Sequence, residues 1–136
     1  MVLVDTNIVA ALFVRSAHTS AVQALRERDG VWRTEPFVLI EFSNILATYQ
    51  RARYISPAMA QECLSRAQAF LRPHFLSVTH EAALAFAVQY RTTAYDARFL
   101  ALADQLGSRL VTEDARLRAA APDLTQSLAE AVALPP

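Results

Sequence analysis

Val2-Leu3-Val4-Asp5-Thr6-Asn7 reads as a short strand that runs straight into a helix. The apolar residues suit an extended, buried segment, and Thr6 or Asn7 can cap a helix reaching Val14. Outward from this stretch the same alternation recurs. Ala17 to Arg28 is helical and stops at Asp29-Gly30, and Val31-Trp32-Arg33 is a second strand. Thr34-Glu35-Pro36 opens a helix from Phe37 to about Arg51, and Ser56-Pro57 opens another that ends before Pro73. His74 to Val78 is expected as a third strand, with Thr79 capping a helix to Tyr90. Asp96 to Leu106 is helical with Gly107 as its stop, Arg109 to Thr112 is a strand, and Asp114 to Ala120 is a short helix. Beyond Pro122 the pattern assigns no element. Strands separated by helices need right-handed crossovers, so the fold class is α/β with a central parallel sheet and helices on both faces.

A chain of 136 residues suits one domain, 1–136, with length enough for a proper core. Hydrophobic content of 54%, with 19% charged residues and only two glycines, describes a compact, helix-rich globule rather than a disordered chain. Thirteen basic and thirteen acidic residues balance, so affinity for nucleic acid must rest on a local patch. Every basic residue is arginine, and the absence of lysine excludes Schiff-base chemistry and a Walker-type phosphate loop. The lone Cys63 can form no internal disulfide and reads as a small buried thiol. His18, His74 and His80 lack the spacing of a zinc site. No apolar run approaches the ~18 residues of a membrane span and no basic segment precedes the first strand, so a cytoplasmic location is expected.

Four acids stand where an acid is awkward. Asp5 ends the first strand, Asp114 lies just past the last one, and Asp96 opens an alanine- and leucine-rich helix. Glu41 interrupts an apolar stretch, with Phe37, Val38 and Ile45 as its helical neighbours. Burying an unpaired carboxylate costs several kcal/mol, so such placements need a reason. Taken singly, Asp5, Asp96 and Asp114 can be helix caps or turn residues, and Glu41 the partner of a buried arginine. Together they are more specific. In open parallel sheets, ligands bind beyond the carboxyl ends of the strands, where Asp5 and Asp114 share one rim. Carboxylates gathered there repel, and a hard divalent cation holds them together, which points to a metal-dependent hydrolase.

Leu3-Val4-Asp5-Thr6-Asn7, Glu41-Phe42-Ser43-Asn44-Ile45-Leu46, Tyr95 to Ala103 (YDARFLALA) and Leu110-Val111-Thr112-Glu113-Asp114 also form an ordered set that spans most of the chain. In this the sequence resembles the PIN-domain ribonucleases, particularly the VapC toxins of bacterial toxin–antitoxin pairs. The resemblance implies a Rossmann-like three-layer α/β/α sandwich in which Asp5, Glu41, Asp96 and Asp114 bind magnesium or manganese. Asn7 and Thr112 match polar positions that support such a site. It further implies an RNA substrate, a VapB-type antitoxin as partner, and a homodimer. A housekeeping nuclease of the same fold is the alternative reading, and a non-catalytic module is disfavoured because all four acids are present.

The chemistry suits these residues. Phosphodiester hydrolysis needs hydroxide at neutral pH and stabilisation of charge on phosphate, and magnesium keeps several waters while bridging phosphate oxygens. Asp5 and Asp96 are expected as the principal ligands. Asp114 and Glu41 complete the site through water or a second metal, one of them orienting or deprotonating the attacking water. Arg91, Arg98, Arg109 and Arg116 are candidates for RNA backbone contacts, though each also reads as a solvated helix end. Phe13, Phe42 and Leu46 offer apolar anchors for an inhibitor that reaches the carboxylates with an arginine.

Overall fold

Continuous burial of Leu3-Val4 and of Leu110-Val111, all 0% exposed, marks two neighbouring strands covered on both faces. The computed structural model describes residues 1–135. Its strands are β1 (Val2–Val4), β2 (Trp32–Arg33), β3 (Leu110–Val111) and β4 (Thr125–Gln126). Its helices are α1 (Thr6–Phe13), α2 (Thr19–Arg28), α3 (Val38–Arg51), α4 (Pro57–Leu71), α5 (His80–Tyr90), α6 (Ala94–Leu106), α7 (Ala115–Ala120) and α8 (Leu128–Ala133). The sheet order is β2-β1-β3-β4 and every pairing is parallel, with Leu3 opposite both Arg33 and Leu110. This is the expected α/β architecture, a parallel sheet flanked by helices.

One strand differs. His74 to Val78 is not a strand: Arg72–His74 forms a 3₁₀ turn, and Phe75 makes only an isolated parallel bridge to Thr34. Pro73 fixes a turn-like φ and supplies no N–H, so pairing begins only beyond it, where the Leu76 amide donates to the Thr34 carbonyl at 3.1 Å. The fourth strand comes instead from the tail, where Thr125 pairs with Leu110 and Gln126 with Val111. The helix after it carried a readable signal. Ser127 and Glu130 form a reciprocal capping box at the start of α8.

Helix starts set the site. Asp5 itself, rather than Thr6 or Asn7, caps α1 by accepting the Thr6 amide. Thr93 caps α6, so Asp96 lies within the first helical turn rather than before it, and Gly107 closes that helix in the left-handed region at φ 59. Behind these elements Trp32, Phe42 and Phe99 are fully buried, and Phe13 and Phe70 bridge Phe42 to Trp32 through tilted and edge-on contacts. Among the described residues no helix is long and apolar enough to cross a membrane.

Candidate functional site

β1 carries Asp5 to the carboxyl rim of the sheet and α1 begins at the next residue, so the acid is 5% exposed between two strand ends. Asp5 Oδ1 accepts the Thr6 amide at 2.8 Å. Its Oδ2 accepts the Thr112 hydroxyl at 2.8 Å and the Asn7 side-chain amide at 3.4 Å. The supporting pair is itself tied together. Asn7 Nδ2 donates to Thr112 Oγ1 at 3.0 Å, and Asn7 Oδ1 accepts the Glu113 amide at 3.1 Å. Thr112 Oγ1 also accepts the Asp114 amide at 3.1 Å, which links the Asp5 carboxylate to the loop bearing Asp114. Burial raises the Asp5 pKa from 3.8 to about 7; the Thr112 and Thr6 hydrogen bonds oppose the rise, and the charges of Asp96 and Glu41 add to it.

Glu41 reaches the same rim from α3. It is half-buried, and its Oε1 accepts the Thr6 hydroxyl at 2.7 Å. Among the described residues it has no arginine partner, the alternative its position allowed. Burial lifts its pKa above the usual range, the Thr6 bond opposes this, and Asp96 pushes the same way as burial. The Asp96 backbone amide donates a hydrogen bond to Thr93 Oγ1 at 3.0 Å, and Asp96 Oδ2 accepts the Thr92 hydroxyl at 3.4 Å. Its pKa is also raised, first by burial and then by the charge of Asp114, against the Thr92 and Thr93 bonds. Asp114 does cap α7, with Oδ1 accepting the Arg116 and Leu117 amides at 3.0 and 3.1 Å, and it also lines one cleft with Asp96. Capping and membership of the acidic rim are therefore not exclusive for Asp5 or Asp114.

Among the described residues none of these four acids enters an ion pair. Cations instead neutralise Glu35, Glu113 and Asp29. Nor do any three aspartate, glutamate, histidine or cysteine side chains among the described residues stand close enough to cage an ion alone. Oxygen-only donors, uncompensated negative charge and room for water fit magnesium or manganese, which take one or two carboxylates and keep much of their hydration. They do not fit a closed zinc site.

The sequence did not reveal three features. The Thr6 contact to Glu41 spans 35 residues and leaves no local trace. Arg98, read as an RNA contact, is instead committed: it pairs with Glu35, which is 2% exposed, donates to the Val78 carbonyl at 3.0 Å and lies 3.3 Å from His80 Nδ1. Glu35 also accepts the Phe37 amide at 2.9 Å, and Phe37 stacks on Tyr95 at 5.4 Å, so the starts of α3 and α6 are locked beside Glu41 and Asp96. Replacing Arg98→Met should cost about 2–3 kcal/mol. That is below the usual penalty for breaking a fully buried pair, because Glu35 keeps the Phe37 amide and Arg98 borders solvent. Urea midpoints with an unchanged m-value would measure it, and a midpoint equal to wild type would refute the clamp. Finally, Phe42 and Leu46 are core residues, 0% and 3% exposed, and cannot anchor an inhibitor.

The protein is similar to Ribonuclease VapC3 of Pyrobaculum aerophilum, 26% identical over 125 residues, which cover 90% of this chain and 95% of that one. The crystal structure of PAE2754 from Pyrobaculum aerophilum shares the fold with a TM-score of 0.75 and 24% identity, over 96% of this chain and 92% of that one. A family model described as PIN domain matches residues 2–122, from β1 through α7. The match takes in all four acids with Asn7 and Thr112, and the chain belongs to the PIN domain family.

Proposed function

We propose that residues 1–136 form one PIN domain that acts as a magnesium- or manganese-dependent endoribonuclease, the toxin of a VapBC-type toxin–antitoxin pair. One observation carries the reading: Asp5 lies buried at the strand rim, under the fields of Glu41 and Asp96, with no ion-pair partner among the described residues to balance it. The likeness to Ribonuclease VapC3 supports RNA as the substrate.

In this reading Asp5 and Asp96 are the principal ligands, and Asp114 and Glu41 complete the site through water. The bound cation supplies acidity to a water and neutralises charge on the phosphate. The chain does the rest. Thr112 and Asn7 fix the Asp5 carboxylate in one rotamer, and Thr6 holds one oxygen of Glu41. The raised proton affinity of Glu41 suits it to accept a proton from the attacking water.

Two apolar features support the protein partners. Leu84 and Val88, one turn apart on α5 and 63% and 72% exposed, support self-association as a homodimer. A cleft of about 330 Å³ begins at Asn7 and sets Ala10 and Ala11 of α1, Val14 beyond it, and Ile45 and Tyr49 of α3 among Ser16, His18, Asn44 and Thr48. It suits an apolar segment of a VapB-type antitoxin, which meets its toxin in the cytoplasm.

Purified protein should cleave RNA with magnesium or manganese and lose the activity in EDTA. Calcium should support it poorly, because it favours more ligands at longer distances. Expression in a naive bacterial host should arrest growth, and the adjacent small gene should relieve the arrest. Undiminished cleavage in EDTA would sink the metal mechanism. Metal-dependent cleavage without toxicity at full expression would favour the housekeeping nuclease.

A further inference from the structure

Two clefts of different character flank the site, one reaching it through Asn7 and the other lined by Asp96 and Asp114 themselves. The cleft on the α1–α3 side sets alanine, valine, isoleucine and tyrosine beside Asn7, Ser16, His18, Asn44 and Thr48, and among the described residues it holds no arginine and none of the four acids. The cleft on the other side, about 410 Å³, contains Arg91 and Arg116 together with Asp96 and Asp114. Arg91 is the left-handed C-cap residue of α5, its amide bonded to the Ala87 carbonyl, so its Cα is fixed at the cleft edge. Arg116 stands in the first turn of α7, its amide held by Asp114.

What sets these two apart is that their guanidinium groups are free. Among the described residues, neither makes a side-chain hydrogen bond or an ion pair, although both share a cleft with carboxylates. Arg98 and Arg118 are spent on other partners, and Arg109 is misplaced. Arg98 is bound to Glu35, and Arg118 donates to the Thr112 carbonyl at 2.8 Å and pairs with Glu113 at 3.6 Å. Arg109 precedes β3 and so lies at the opposite edge of the sheet, in a cleft with Met1 and Val2.

From this division we infer that Arg91 and Arg116 grip backbone phosphates next to the scissile one, so that an RNA strand runs across the acids through the arginine cleft and not through the apolar one. The inference rests on the nuclease reading and adds a route for the substrate. Carboxylates repel a polyanion, and only the phosphate at the reaction centre has a bound cation to answer that repulsion. Phosphates on either side need positive charge from the protein, and guanidinium groups supply it with two-pronged hydrogen bonding. Such contacts position the strand without reading its bases.

The test uses the Asp5→Asn protein with magnesium, a short fluorescein-labelled single-stranded RNA of mixed sequence, and a titration of binding at several salt concentrations. Arg91→Ala and Arg116→Ala, each added to that background, should reduce the slope of log affinity against log salt by about 0.7, and the double change by about twice as much. Arg109→Ala should leave the slope alone. In otherwise wild-type protein the two changes should raise KM for RNA with kcat within about a factor of two, since they remove uniform binding. Thermal melting should not move, because both side chains are exposed. An unchanged slope in the double variant, an equal effect of Arg109→Ala, or no RNA binding at all would overturn the inference. Failure of the nuclease reading looks different: wild-type protein would bind RNA with the arginine dependence intact and cleave none of it.

Discussion

Asp5→Asn and Asp96→Asn should each leave less than about one-hundredth of wild-type RNA cleavage while both proteins stay folded. Changing a group that merely supports a metal ligand typically costs about 10–100-fold, and removing a ligand's charge costs more. Stability should hardly follow activity, for reasons that differ at the two sites. At Asp5, asparagine removes the cost of burying a charge and the smaller repulsion from Asp96 and Glu41, but sets an amide donor against the Thr112 hydroxyl, which now donates to Oδ2. Thr112 Oγ1 already accepts from the Asn7 and Asp114 amides, so it cannot simply reverse its role. That lost bond costs about 1 kcal/mol and offsets only part of the relief, so the metal-free variant should hold or gain stability at pH 7 and above. At Asp96 the carbonyl of asparagine can still accept the Thr92 hydroxyl, so relief from Asp114 dominates and stability should hold or rise. Thr112→Val makes a graded control, expected to lose about 10–100-fold by freeing the Asp5 rotamer. Single-turnover cleavage and thermal melts would check all three. Wild-type rates in both acid variants would refute the assignment.

Local pattern carried the reading where one short stretch decides the outcome. Val2-Leu3-Val4 is apolar and short, and Asp5 must then sit at a strand end, because α1 starts at Thr6. Glu41 was conspicuous because no cap explains an acid three residues into an apolar helix. Its partner was invisible, since Thr6 meets it only after α1 and α3 pack. The same limit governed the arginines. Arg91, Arg98, Arg109 and Arg116 look alike in sequence, and only packing decides that Arg98 is spent on Glu35 while Arg109 faces the far edge. Apolar spacing in α3 showed which face is inward but not what covers it, so Phe42 and Leu46 passed for anchors when they are core. Short strands failed for a different reason. β4 has two residues, too few for any periodicity, whereas His74 to Val78 had the composition of a strand and Pro73 beside it to prevent one.

Metal-free protein should lose stability as pH rises from 5 to 8, the reverse of the usual carboxylate effect. The Asp5 pKa is about 7 when folded against 3.8 for a free aspartate, so the folded state binds its proton more tightly than the unfolded chain does. Below pH 3.8 both states carry the proton and the contribution to stability is full. Between 3.8 and about 7 the unfolded chain gives up its proton while the folded protein keeps it, so stability falls by about 1.4 kcal/mol per unit. From pH 5 to pH 8 Asp5 alone removes roughly 3 kcal/mol. Glu41 and Asp96, also raised, act in the same direction. Asp29, which burial raises but its bonds to the N-terminal ammonium and the Val31 amide lower further, gains its stabilisation as pH rises toward 3.8 and leaves the decline above pH 5 unchanged. Asp5→Asn isolates the effect by flattening the decline. Magnesium should reverse it, because the ion competes with the proton for the same oxygens. At pH 8, an ion concentration of about a hundred times Kd adds about 2.7 kcal/mol, and at pH 5 far less. Urea midpoints at both pH values, with and without magnesium, measure every term. A stability difference that Asp5→Asn does not change, together with no magnesium effect at pH 8, would show that Asp5 neither bears a buried charge nor binds the ion.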